Sequence, residues 1–344
     1  MLTQLLRAHP DAARSPEQRR AVRAILSCRT MQRGGHLYRC SPCAKLEFAY
    51  HSCHHRACPN CGALKASAWL EQRKLRLLPV PYFLLTFTVP EELRALFKAE
   101  PRLCYDLLFD ASSRALRDVA LSKLGGEPAA LGVLHTWSRQ LVFHPHIHYI
   151  VPGGFLSENQ LRWIRLKDPT FLLPETVLSR RTRSLFRAAL KTRPELFAQT
   201  PAAAWRKEWI VNTQAVGSGE KALGYLAQYV QRTALSSQRI VKEEHGRTTF
   251  NYKSRDTGGW KMLTLDTPEF LRRFLQHVLP SGFHRVRYYG WWSPAAKTKW
   301  QRILALLDWR EPAPPPKRPA WSMTCPCCGK PMERIAALPR GPPA

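Results

Sequence analysis

Apolar and polar positions change period several times along the chain. Behind Ser15 the apolar residues take helical spacing, and Ser15, Pro16 and Gln18 supply a cap, a first-turn proline and a capping-box partner. A helix is predicted from there to about Cys28. A turn-rich, cysteine-rich stretch follows to Gly62, then a second helix over 63–77. Pro79 and Pro81 mark a boundary, and YFLLTFTV over 82–89 reads as a strand. Helical patterns cover 91–98 and 103–124, the second broken by Gly125 and Gly126. Two strand-like runs, 131–141 and 142–151, end at Pro152-Gly153-Gly154. Beyond them the pattern predicts a helix over 178–191, a strand over 209–215 and a helix over 218–232. Hairpins are expected over 238–265, turning at His245-Gly246 and Gly258-Gly259, and helices over 268–278 and 297–308. A proline-rich stretch, PAPPPKRP, reads as a linker to a last group of cysteines. The pattern is that of an α+β protein in three parts: 1–78 as an N-terminal module, 79–295 as the main domain, and 296–344 as a C-terminal helix, linker and tail.

Charge narrows the class. The 344 residues carry 53 Lys and Arg against 25 Asp and Glu, a net charge of +28. The excess is uneven: residues 81–160 are near neutral, with strongly basic segments on either side. A polyanionic partner, and nucleic acid first among these, is the reading such a balance favours. No run approaches the roughly 18 apolar residues of a membrane span, and the N-terminus lacks the apolar core of a secretory signal. Nine of ten cysteines sit in two terminal clusters with CxxC spacing, which predicts metal binding in a reducing cytoplasm rather than disulfides.

Three constellations carry chemistry. Cys40, Cys43, Cys58 and Cys61 form two CxxC pairs, a set that suits one tetrahedral zinc ion. Cys28, His36, Cys53 and His55 lie close enough in sequence to make a second site. The Cys325-Pro326-Cys327-Cys328 tail holds only half a usual zinc site, and its partner is left open.

The second constellation is HPHIH, residues 144–148. In a strand, alternate residues share a face about 6.6 Å apart, so His146 and His148 can grip one metal ion. His144 and His148 would be about 13 Å apart, so a third ligand should come from another element. A histidine cluster without metal is the plainer alternative. The third constellation is the segment SGEKALGYLAQYVQR. Leu223, Leu226, Ala227 and Val230 make its apolar stripe, and Tyr225 and Tyr229 share a face about 130° away, near Lys221 and Arg232. Those tyrosines either pack on another element or are held out for chemistry. A phenol with pKa near 10 needs positioning and nearby positive charge to attack a phosphate. Arg272, Arg273, Arg285 and Arg287, interleaved with Tyr288, Tyr289, Trp291 and Trp292, suit single-stranded DNA or, more plainly, a basic edge beside packed aromatics.

Taken together, HPHIHYIVPGG and YLAQY resemble the HUH (His-hydrophobic-His) superfamily of single-strand endonucleases. CRTMQRGGHLYRC, SCHHRACPNCG, YFLLTFTVPEEL and FLRRFLQHVLPSGFHRVRYYG are similar to landmarks of one group within it, the rolling-circle insertion-sequence transposases of the IS91 family, over about residues 10–330. The resemblance implies a central antiparallel sheet with flanking helices, and an N-terminal zinc-dependent DNA-binding module. It implies Mg²⁺ or Mn²⁺ on His146 and His148, and nucleophiles at Tyr225 and Tyr229 that form a 5′-phosphotyrosine and a free 3′-OH. Its partners would be single-stranded DNA at element ends and target DNA, in the bacterial cytoplasm at the nucleoid. A replication initiator or relaxase of the same chemistry, or a zinc-dependent DNA binder without activity, are the rival readings. Two positions depart from the family pattern. Ala57 stands where a histidine is expected before CPxC, and Gln228 where arginine is common between the tyrosines.

Overall fold

The computed structural model describes residues 1–61, 63–230, 234–254, 256–316 and 322–342, with the side chains of residues 63, 64, 228 and 229 also left out. These residues form two compact units, each assembled from separate stretches of chain. One takes residues 64–230 and 279–313, the other 1–63, 231–278 and 314–344. These units do not follow the three-part division at 78 and 295. Residues 231–278 leave the main domain, and the C-terminal tail joins the N-terminal module. The helix Ala63–Lys74 and the helix Lys297–Leu306 belong largely to the larger unit, because Trp69, Leu70, Trp300 and Ile303 pack into its core.

The larger unit is built on a five-stranded sheet, antiparallel throughout. Its order is Val286–Tyr289, Ala130–Trp137, Phe143–Pro152, Tyr82–Thr88, Ile210–Ala215. The HPHIH strand is the middle one, and nearly all of its residues are buried. Alternation sends Phe83, Leu85, Phe87, Leu134, Ile147, Tyr149 and Val151 to one face. There they meet Leu108, Phe109 and Leu116 of the helix Pro101–Leu124, and Leu178 and Phe186 of the helix Glu175–Lys191. Each such side chain taken out of water contributes about 1.5–3 kcal/mol, so this layer fixes the strand register.

The opposite face is divided along its length. At one end Tyr82, Leu131, Val133 and Ile150 pack beneath Leu223, Leu226 and Val230 of the helix Glu220–Val230 and beside Trp291 and Trp292. At the other end the cross-strand rows turn polar: Thr86 beside His148, then Thr88, His146 and His135 side by side. The helix covers the apolar end only.

The smaller unit holds two three-stranded antiparallel sheets. One has the order Ile240–Glu244, Arg247–Lys253, Trp260–Asp266, the expected hairpins, and the helix Thr267–Leu275 packs on it through Phe270 against Phe250. The other has the order Glu333–Leu338, Gly35–Arg39, Leu46–Tyr50, so the last strand of the chain pairs with the first. No helix among the described residues is long and apolar enough to cross a membrane.

Candidate nucleophile and metal site

Three histidines converge at the polar end of the main sheet. Ligand nitrogens of His135, His146 and His148 lie within 4.8 Å of one another, and all three side chains are buried. Three nitrogens on one ion at about 2.1 Å would sit roughly 3.0–3.4 Å apart, a separation that falls within this bound. His146 and His148 share a strand face as the spacing requires. His135 comes from the neighbouring strand, directly opposite His146. His144 is not among the three. The pairing slips between His135 and Trp137, placing an extra residue on the histidine strand, and His144 Nδ1 instead meets Arg94 at 3.3 Å.

The donor set fits a metal cation. Burial lowers the pKa of all three rings, that of His148 to about 4, with the neighbouring histidines adding to the effect. They are therefore neutral imidazoles at pH 7. His146 Nδ1 is 2.7 Å from the carbonyl oxygen of His144. Only an N–H can make that bond, so the proton sits on Nδ1 and the Nε2 lone pair is available. Thr86 Oγ1 lies 2.9 Å from His148 Nδ1, and where the hydroxyl accepts from Nδ1–H it leaves the Nε2 lone pair available as well.

The helix Glu220–Val230 brings Tyr225 to this site. Ala222, Leu223, Leu226, Ala227 and Val230 are buried, whereas Tyr225 remains 39% exposed. Its ring stands edge-on to the His148 ring, with centroids 5.8 Å apart. Tyr229 follows one helical turn later, but its side chain lies outside the described residues, as does Arg232 altogether. Lys221 is exposed on the same helix.

The four arginines expected at a DNA surface have internal partners. Arg272 and Arg273 both bind Glu269, at 2.6 and 2.7 Å, and hold its carboxyl down at about 2. Arg287 is bridged to Asp106 and lies over the Phe109 ring at 4.3 Å. Arg285 is buried, its guanidinium 5.5 Å from the Trp137 ring centre. Trp291 and Trp292 are core residues, and Tyr288 accepts a hydrogen bond from Trp69 Nε1 at 3.0 Å. All four guanidinium groups thus have a partner within the fold.

The cysteines group differently from the spacing-based expectation. Cys58 and Cys61 join Cys28 and Cys53, with Cys28 and Cys53 sulfurs 3.4 and 3.6 Å from that of Cys61. Tetrahedral zinc with bonds of about 2.3 Å separates its sulfurs by roughly 3.8 Å. Cys40 and Cys43 join Cys325 and Cys328 instead. The two CxxC pairs do not share one ion because the strands Gly35–Arg39 and Leu46–Tyr50 carry the Cys40 turn away to the far end of the ribbon. His36 belongs to neither group and packs against His51, with ring centres 4.9 Å apart.

Two residues escaped the sequence reading. His135 was legible as the one titratable residue in the largely apolar run ALGVLHTW, on the same face as Leu131 and Val133. Thr86 gave no signal, since threonine is an ordinary strand residue.

Comparison with known proteins bears on most of the chain. Residues 129–299 match a family model described as "Putative transposase", and residues 3–89 one described as "Transposase zinc-binding domain". A protein of Sinorhizobium fredii named "Putative transposase y4qJ" is 39% identical over 322 residues, covering 87% of this chain and 81% of that protein. The "Transposase for insertion sequence element IS801" of Pseudomonas savastanoi pv. phaseolicola is 28% identical over 317 residues, covering 86% of this chain and 75% of its own length. No solved structure is a significant match.

Proposed function

We propose a chemistry for this chain, which belongs to the IS91 family of insertion-sequence transposases: it nicks single-stranded DNA by attack of Tyr225 and thereby starts rolling-circle transposition. The reading is supported by one contact above all, the Tyr225 ring set edge-on against His148 at the rim of the histidine trio.

The phenolic oxygen of Tyr225 attacks phosphorus, and the bond from phosphorus to the 3′ oxygen breaks. The phenol gives its proton to solvent, and the departing 3′ oxygen takes one up. The products are a 5′-phosphotyrosine and a free 3′-OH, with the phosphodiester energy retained and no nucleotide cofactor consumed. Its exposed position leaves Tyr225 accessible to a strand. The buried trio of His135, His146 and His148 would hold a divalent cation, which when bound neutralises charge on the scissile phosphate. Three imidazoles favour Mn²⁺ over Mg²⁺, which prefers oxygen donors. Thr86 and the His144 carbonyl act as positioning groups for His148 and His146. Tyr229 serves as the second nucleophile, so that one tyrosine holds a strand while the other cuts the next. Element ends and target DNA are the substrates, met at the nucleoid in the bacterial cytoplasm.

Incubation of the protein with Mn²⁺ and a single-stranded oligonucleotide carrying an element end should give a covalent adduct on a denaturing gel. Tyr225→Phe should remove most of it, and Tyr225→Phe with Tyr229→Phe all of it. His135→Ala should slow cleavage on the order of 100-fold or more, the usual scale for losing charge stabilisation at the reacting group. An adduct that persists in the double tyrosine variant would overturn the nucleophile assignment.

A further inference from the structure

We propose that the C-terminal tail completes a second zinc site, with Cys325 and Cys328 binding one ion together with Cys40 and Cys43, so that the first and last segments of the chain close into a single zinc ribbon. The zinc-binding domain recognisable at residues 3–89 contains only half of this ligand set.

The four sulfurs lie within 4.8 Å of one another, and those of Cys40 and Cys328, 288 positions apart in sequence, are separated by 3.6 Å. That is close to the roughly 3.8 Å edge of a tetrahedral zinc thiolate site. The two contributing turns have the same construction. In CSPCAK the Cys40 N–H donates to the Lys45 carbonyl at 2.9 Å, and in CPCCGK the Cys325 N–H donates to the Lys330 carbonyl at 2.8 Å. The residue after the second cysteine is left-handed in both, Ala44 at φ +53° and Gly329 at φ +69°. Such a turn aims backbone N–H groups at the first sulfur, from Cys43 toward Cys40 and from Cys327 and Cys328 toward Cys325. Thiolates on a metal ion need that compensation, and two matching turns facing each other form a tetrahedral cage.

The surroundings agree. Cys40 and Cys325 are buried in a small cluster with Met332, against which Tyr38 and Met323 pack. The strand Gly35–Arg39 leads directly into Cys40 and pairs with Glu333–Leu338, just beyond the tail turn. An isolated bridge between Thr324 and Pro331 closes the tail knuckle on itself. So small a core cannot hold a terminal segment by apolar burial alone, which is the situation in which a structural metal supplies the folding free energy. Cys327 is exposed and stands outside the quartet, so CPCC contributes its first and last cysteines.

Zinc counting tests the proposal, in a His146→Ala background so that the histidine trio does not contribute. The parent should hold two zinc ions per chain. Cys325→Ser with Cys328→Ser should hold one, as should Cys40→Ser with Cys43→Ser. The fourfold variant should also hold one, because both pairs serve the same ion. Cys327→Ser should keep two. Wild-type protein refilled with Co²⁺ provides a check that needs no substitution, since sulfur-to-cobalt absorbance reports thiolate ligands only. Intensity for eight thiolates on two ions supports the site, and intensity for four on one ion overturns it. A tail double variant that retains both zinc ions overturns it equally.

Discussion

His148 shows how a single residue trades protonation for position. Its ring is buried, held by Thr86 at one nitrogen and crowded by His135 and His146, and its pKa falls from 6.5 to about 4. His135 and His146 are shifted in the same direction by the same burial. In the unfolded chain these rings take up protons near pH 6.5. Between about pH 4 and 6.5 the unfolded state therefore binds more protons than the folded one, and stability rises with pH across that window. The metal-free protein should lose stability as pH falls from 6.5 toward 4. His148 alone contributes roughly 3 kcal/mol to the full drop, at about 1.4 kcal/mol per pKa unit. Melting temperatures of metal-free wild type and His148→Gln across this range provide the check. A variant whose Tm falls as steeply as that of the wild type would mean that His148 titrates normally.

At the scale of elements, the site depends on the histidine strand being held in register from its apolar side. Gly132 lies directly opposite Tyr149, and a Cβ at that glycine would sit 2.5 Å from the tyrosine ring. The ring cannot retreat, because Tyr149 is fully buried and its hydroxyl is 2.8 Å from Ser112 Oγ on the helix beneath. Gly132→Ala should cost about 1–3 kcal/mol, the usual range for overpacking a core, measured by urea denaturation with m unchanged. The elements themselves were largely legible. The capped helix Pro16–Leu26, the strand Tyr82–Thr88, the histidine strand and the tyrosine helix all lie where apolar period, caps and turn residues put them. What period cannot reveal is which distant element stands alongside. His135 became a neighbour of His146 only through strand pairing, and Cys40 met Cys328 only because the last strand adds to the first. The fold also gives the arginines around residue 287 partners of its own. Glu269 stands three and four residues before Arg272 and Arg273 on one helix and could be read from spacing, whereas Asp106 reaches Arg287 only through the fold.

For the whole molecule, the net charge of +28 sets an electrostatic attraction to DNA that is separate from the chemistry of cutting it. Cations that neutralise phosphates release counterions, and each adds about −0.7 to the slope of log K against log salt for a single strand. Cations already paired within the fold should add much less. Lys221 is exposed on the tyrosine helix, one turn from Tyr225, whereas Arg287 is bound to Asp106 and stacked on Phe109. Affinity for a single-stranded end oligonucleotide should therefore fall steeply with salt. Lys221→Ala should flatten the slope by about 0.7, while Arg287→Ala leaves it unchanged and lowers stability instead. His146→Ala should abolish cleavage, and in metal-free buffer should leave the slope intact, because a buried neutral imidazole carries no charge to a phosphate. Fluorescence anisotropy over a range of salt concentrations separates these outcomes. If Arg287→Ala flattens the slope as much as Lys221→Ala does, Arg287 leaves Asp106 to meet the DNA, and the packing account of the basic cluster fails. If His146→Ala weakens binding as much as it weakens cutting, the trio maintains the fold of the site and does not serve the chemistry alone.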